Sequence, residues 1–255
     1  MGRLIKFELS KLPKSLSLII CTAVMAFTLF INVITIWGME ALMGEVMGDM
    51  GELEGLLSLD MISCVLQAAN NASFTLIVGI VIAISVCSDF SQGTIKNIIS
   101  RGYSRTKIYF AKLISVTVMS VFMYLTVILL GMLFGMAFFG FSLPADNSWI
   151  AILAVQFLSA IAIAAFSFFM ASIFRKLAPS ILFIILVPTV IQIVLTMVDL
   201  FAETTLSDYW ISGTFVLLSQ SGIGSGRIIS SMIASLVYVA AFIAGGWLIS
   251  RKYSY

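Results

Sequence analysis

Few side chains in this sequence are equipped for chemistry. Its 255 residues hold no His, and its 14 Lys/Arg and 12 Asp/Glu make up only 10% of the chain. Without His, the usual proton shuttle and the commonest metal ligand are missing. Cys21, Cys64 and Cys87 are odd in number, widely spaced and form no CxxC pair, so neither a disulfide framework nor a zinc site is expected. No GxxxxGK[ST] stretch occurs, so the chain has no P-loop with which to bind ATP. What remains is neutral and positional. Thr28, Asn32 and Thr35, and again Thr189, Gln192 and Thr196, would each share one face of a helix. A single dense polar segment, Asp89–Lys112, reads DFSQGTIKNIISRGYSRTKIYFAK. Its chemistry is charge pairing and docking, not bond making.

The elements that carry these residues follow from composition. The chain is 61% hydrophobic with a mean hydropathy of +1.13, far above the roughly 45–50% apolar content of soluble domains. Charges cut it into neutral runs, six of them 22 to 33 residues long, each sufficient for a membrane-spanning helix. The run 209–226 starts with YWISGTFVLL and ends in SQSGIGSG. That ending favours a re-entrant or interfacial element within the outer segment 199–227. The expectation is an all-α membrane protein with six transmembrane helices.

Charge sidedness orients it. With both termini cytoplasmic, 13 of the 14 basic residues fall inside and only Arg227 falls outside, as the positive-inside rule requires. The acids fall the other way, except Glu8 and Asp89. No small-residue cleavage site follows Ile31, so the first apolar run is expected to remain as an anchor. Residues 2–14 alternate apolar and charged side chains and read as an amphipathic helix whose lysines snorkel to anionic lipid.

The outer segment 38–70 carries six acids and no basic residue. Met43, Met47 and Met50 recur there at helical spacing among other apolar positions. An acidic helix is a poor fit to anionic lipid. The segment is therefore expected to be an extracellular helical cap, either plainly structural or in contact with cargo. It would place Cys64 outside and Cys87 near the inner face. Gly131 and Gly135 form a small-xxx-small face suited to close helix packing.

No Asp, Glu, Lys, Arg or His lies within any of the six runs. Ion-coupled transporters and membrane-embedded proteases place such residues at mid-bilayer, so both classes are disfavoured. If this chain drives uphill movement, another polypeptide supplies the energy. The inner loop 89–112 is the segment large enough to dock one. Ser91 can cap a short helix through Ile99, with Gly102 to end it and Ile95, Ile98 and Ile99 on one face. The plainer reading makes its lysines and arginines topology signals at an anionic leaflet.

This loop resembles the first cytoplasmic loop of ABC-2 type permeases. In that family an acidic residue ends the second span, and a GT-x-K-N segment, S-R and a later Lys follow. Here these are Asp89, Gly93-Thr94-Ile95-Lys96-Asn97, Ser104-Arg105 and Lys112, with Asp where Glu is more usual. The opening RLIKFELSKL and the closing GGWLISRKYSY are similar to the family's N-terminal elbow and C-terminal ending. The resemblance implies the ABC-2 (type V exporter-like) permease fold, with residues 1–14 as an elbow helix. It makes 89–112 a coupling loop in which Asp89, Gly93, Thr94, Lys96, Asn97, Arg101, Gly102, Ser104 and Arg105 engage a separate ABC ATPase.

That partner would hold ATP and Mg, leaving this chain without cofactor, metal or enzymatic activity of its own. A second permease chain, identical or not, and membrane lipid would complete the assembly in a bacterial cytoplasmic (plasma) membrane, and nucleic acid is not expected. In such permeases the first, second and fifth spans line the route. The resemblance thereby places Thr28, Asn32, Thr35, Thr189, Gln192 and Thr196 on it, against the reading that they bond neighbouring helices. The implied function is export of amphipathic or hydrophobic cargo, a toxin or antimicrobial peptide or a drug-like molecule. The alternative is a non-transporting channel or signalling subunit.

Overall fold

A chain this apolar satisfies its backbone polar groups within each segment, and helices do so. The computed structural model describes residues 2–46, 61–70, 72–142, 148–218 and 223–252, and these contain helices and turns but no strand. The helices are α1 (Gly2–Lys11), α2 (Leu16–Val46), α3 (Met61–Asn70), α4 (Ala72–Ser91), α5 (Thr94–Ser100), α6 (Arg105–Phe139), α7 (Ser148–Phe174), α8 (Leu177–Ala202), α9 (Ile211–Leu218) and α10 (Ser225–Lys252). Six stretches among the described residues are long and apolar enough to cross a membrane: α2, α3 with α4, α6, α7, α8 and α10. This is an all-helical membrane protein.

Burial separates the six. Within their most apolar windows α7 is 61% buried and α8 and α10 only 11%. Helix α7 forms the axis, with α4, α6, α8, α9 and α10 packed around it. Its small side chains Ala160, Ala162, Ala164 and Ser167 are essentially inaccessible and let neighbouring backbones approach. Polar bonds tie the bundle at several levels. The Ser159 and Ser235 hydroxyls are 2.8 Å apart, Ser120 donates to the Ala160 carbonyl at 3.0 Å, and Gln156 donates to the Leu66 carbonyl at 3.2 Å. The outward faces carry Phe27, Leu129, Val194 and Val237, the surface that a lipid solvent requires.

The second span begins at Met61, where its neutral run begins, and so takes in residues assigned to the outer segment 38–70. Residues 61–70, expected in the outer cap, form α3, and Met61, Ile62, Cys64 and Val65 are buried. Helix α3 packs along the far half of α6, where Gly131 and Gly135 bring the backbones together. A Cβ on Gly135 would stand 3.1 Å from Met61 Cγ and 3.2 Å from its carbonyl oxygen. The small-xxx-small face is thus a packing device. Cys64, expected to face outside, is 3% exposed and Cys87 2%. Of the three cap methionines, Met43 falls within α2, whereas Met47 and Met50 lie outside the described residues. The 209–226 run holds α9, eight residues long, about 12 Å and too short to span. It is inserted among α3, α7, α8 and α10, with Phe215 against Phe74 at 6.1 Å between ring centroids.

Candidate functional site

Helices α1 and α5, the ends of α4, α7 and α10, and the starts of α2, α6 and α8 gather at one end of the bundle. It is the basic end. Helix α5 is built by two glycines in left-handed conformations. Gly93 (φ +67°) turns the chain out of α4 and serves as N-cap, while Gly102 (φ +83°) ends the following turn and donates to the Ile99 carbonyl at 2.9 Å. Ser91, the expected cap, instead donates back to the Ser88 carbonyl at 3.0 Å. It finishes α4, and Gly93 takes the boundary because only its lack of Cβ makes that conformation cheap.

Helix α5 has two faces. Ile95 and Ile98 are buried and Ile99 is partly so, while Lys96, Asn97, Ser100, Arg101 and Gly102 are exposed. Ile98 joins a small apolar cluster with Leu4 of α1 and with Ile108 and Ala111 of α6. Thr94 is partly buried at the helix start, whereas Ser104 and Arg105 are exposed at the start of α6. Beneath the helix a narrow cleft is lined by Val86, Phe90, Ile95, Ile108, Lys112 and Ser250. The Arg175 guanidinium lies 5.5 Å from the centre of the Phe90 ring.

Four charges fasten this end. Lys112, in the second turn of α6 and 5% exposed, pairs with Asp89 near the end of α4. Lys11 of α1 reaches Asp89 at 3.2 Å and Glu8 at 3.6 Å, and Lys112 lies 3.7 Å from Glu8. Among the described residues, two cations and two anions make up this cluster and balance one another, the condition on which buried charge is tolerated. Asp89 therefore faces inward, gripping the root of the loop, and Lys11 pairs with protein carboxylates. The sequence alone assigns Glu8 no such role, and Lys112 enters there only as the closing Lys of the loop motif. The available signal was that Glu8 and Asp89 are the two acids on an otherwise basic side.

The two polar stripes lie elsewhere. Asn32 donates to the Thr28 carbonyl at 2.7 Å, Thr35 to that of Ile31 at 2.8 Å, and Thr28 to that of Met25 at 2.9 Å. Thr189 donates to the Ile185 carbonyl at 2.7 Å and Thr196 to that of Gln192 at 2.8 Å. Each of these bonds stays within its own helix. Asn32, Thr35, Thr189 and Thr196 are exposed, while Thr28 and Gln192 are partly buried. Helices α2 and α8 both pack on α4, so the stripes are carried by neighbours of one helix. Among the described residues no three side chains that could ligate a metal converge.

A family model described as a protein of unknown function, DUF2705, matches residues 58–254. The chain belongs to this family. The DUF2705 match runs from the approach to α3 through α10, so it includes α5, Asp89 and Lys112. The chain is also similar to the uncharacterized membrane protein YdbK of Bacillus subtilis (strain 168), with 28% identity over 184 residues, 66% of this chain and 72% of that protein.

Proposed function

We propose that this chain is the transmembrane permease subunit of an ATP-driven exporter of the ABC-2 kind, with α5 docking a separate ABC ATPase. The observation that carries the reading is the two-faced α5. Ile95 and Ile98 are buried, Ile98 in an apolar cluster with Leu4 of α1 and Ile108 of α6, while Lys96, Asn97 and Arg101 are turned outward at the basic end. A short helix buried on one side and cationic on the other is a rigid plug for a groove on a partner. The buried Asp89–Lys112 pair joins the two helices from which the plug hangs, so force on α5 reaches α4 and α6 directly.

In this reading the basic end is cytoplasmic, following charge sidedness, in a bacterial plasma membrane. ATP and Mg belong to the partner. The stripes on α2 and α8, mostly exposed and among the described residues bonded to no other helix, form a mildly polar route shared with a second permease chain. Such a route suits amphipathic or hydrophobic cargo, of peptide or drug-like kind.

Co-purification tests the docking. From native membranes the tagged chain should bring down a P-loop ATPase, and a cysteine placed at Asn97 should crosslink to it. Lys96→Glu with Arg101→Glu should insert normally yet lose the ATPase and its stimulated hydrolysis. Retention of both would overturn the reading.

A further inference from the structure

The ion cluster divides in a way that bears on α1. Helix α1 contributes one cation and one anion, Lys11 and Glu8, and the bundle contributes one of each, Lys112 and Asp89. Each half is neutral alone. The bundle half is closed by a direct hydrogen bond from Lys112 to Asp89. Within the α1 half the pairing is looser: Glu8 Oε1 accepts no hydrogen bond, and its two ion pairs, at 3.6 and 3.7 Å, exceed hydrogen-bonding distance. Helix α1 is thus held to the bundle by one charged hydrogen bond, from Lys11 to Asp89 at 3.2 Å. Lys11 is the accessible member, its side chain 36% exposed against 7% for Lys112. Leu4 and Ile5 of α1, which packs on α6, share one apolar cluster with Ile98 and Ile99 of α5 and with Ile108 and Ala111 of α6.

We infer that α1 is a detachable prop beneath α5, and that charge neutrality of this cluster decides whether it is seated. Undocking takes away a matched pair and leaves a matched pair, so neither state strands an unpaired charge in a poorly solvated place. Seated, α1 fills the space under Ile98 and fixes the angle of α5. Unseated, it uncovers Ile98, and α5 loses support on that side. The latch rests on the ion-pair geometry. Only its consequence, control of the docking face, depends on α5 receiving an ATPase.

The test uses the purified full chain without any ATPase, so its result stands apart from the docking experiment. A cysteine is placed at Ile98, and its reaction with a maleimide is timed, with native Cys64 as the internal control for the fold. Lys11→Met leaves two carboxylates against one cation and should speed labelling at position 98 at least about tenfold, given what an uncompensated buried charge costs. Cys64 should stay protected. Lys11→Arg should behave as wild type. The double variant Glu8→Gln with Lys11→Met restores neutrality and should return labelling close to the wild-type rate, despite having fewer polar contacts.

A double variant as reactive as Lys11→Met would overturn the latch, because lost bonds and not unbalanced charge would then govern α1. An unchanged rate in Lys11→Met would overturn it equally. Should Lys11→Met unfold outright and expose Cys64 as well, the double variant decides: protection at 98 supports the proposal and labelling refutes it.

Discussion

The indole N–H of Trp210 donates to the carbonyl oxygen of Pro188, 3.2 Å away, joining the turn before α9 to the middle of α8. Proline interrupts the helix ladder at that place, and the indole fixes the interrupted turn from outside. The far end of α8 is held by Asp199, which accepts from Thr204 Oγ1 at 2.6 Å and from the backbone N–H groups of Leu206 and Ser207 at 2.8 and 2.7 Å. Trp210→Phe keeps a ring against Tyr238 and removes only the donor. It should lower stability by about 1 kcal/mol, read as an earlier thermal transition in detergent.

Close approach at Gly135 sets a second expectation. Gly135→Leu drives a branched side chain into the Met61 backbone, and overpacking of this kind costs about 1–3 kcal/mol. Gly135→Ala, with its Cβ 3.1 Å from a flexible methionine side chain, should cost less. Melting both variants against the parent gives the order, and equal melting of all three would deny that α3 packs there.

The polar stripes predict an unusual split between stability and activity. Asn32 and Thr196 bond only to their own helices, so no interhelical bond of about 1 kcal/mol is lost on removing them. Asn32→Leu and Thr196→Val should therefore melt as wild type while changing cargo export. Early melting with normal transport per folded molecule would return the stripes to a packing role.

Sidedness is best read at exposed positions, since Cys64 and Cys87 are both buried and should resist an impermeant thiol reagent from either side. Asn97→Cys and Ser225→Cys are exposed at opposite ends of the bundle. The first should react only in inside-out vesicles and the second only in intact cells. The reverse pattern would invert the molecule.

How far the sequence could be read depended on where the signal was local. The six spans were legible because charged residues punctuate apolar runs, and that pattern needs no knowledge of neighbours. The apolar face of α5 was legible for the same reason, since Ile95, Ile98 and Ile99 follow helical spacing. The start of the second span was legible in the neutral run that follows Asp60. The outer segment, read as 38–70 from its acids and methionines, overlapped it, and the packing of residues 61–70 on the glycines of α6 assigns them to the span. The role of Glu8 was hidden. Its partner Lys112 lies more than a hundred residues away, and an acid on a basic helix reads as ordinary surface until the fold brings the two together.

Helix α7, the axis of the bundle, is completed in two instalments by the order of synthesis. Gln156 finds its acceptor on α3, which has already emerged, whereas the Ser235 partner of Ser159 comes 76 residues later. At roughly 5–20 residues per second the ribosome takes about 4–15 s to make that stretch. During this interval Ser159 is satisfied by the Val155 carbonyl in its own helix, 3.1 Å away, so the waiting face presents no orphaned hydroxyl to lipid. Phe166 and Phe169 wait beside it for Phe242 of α10. The nascent protein thus carries a half-built, lipid-tolerant seam, and arrival of the sixth span is the step that closes it.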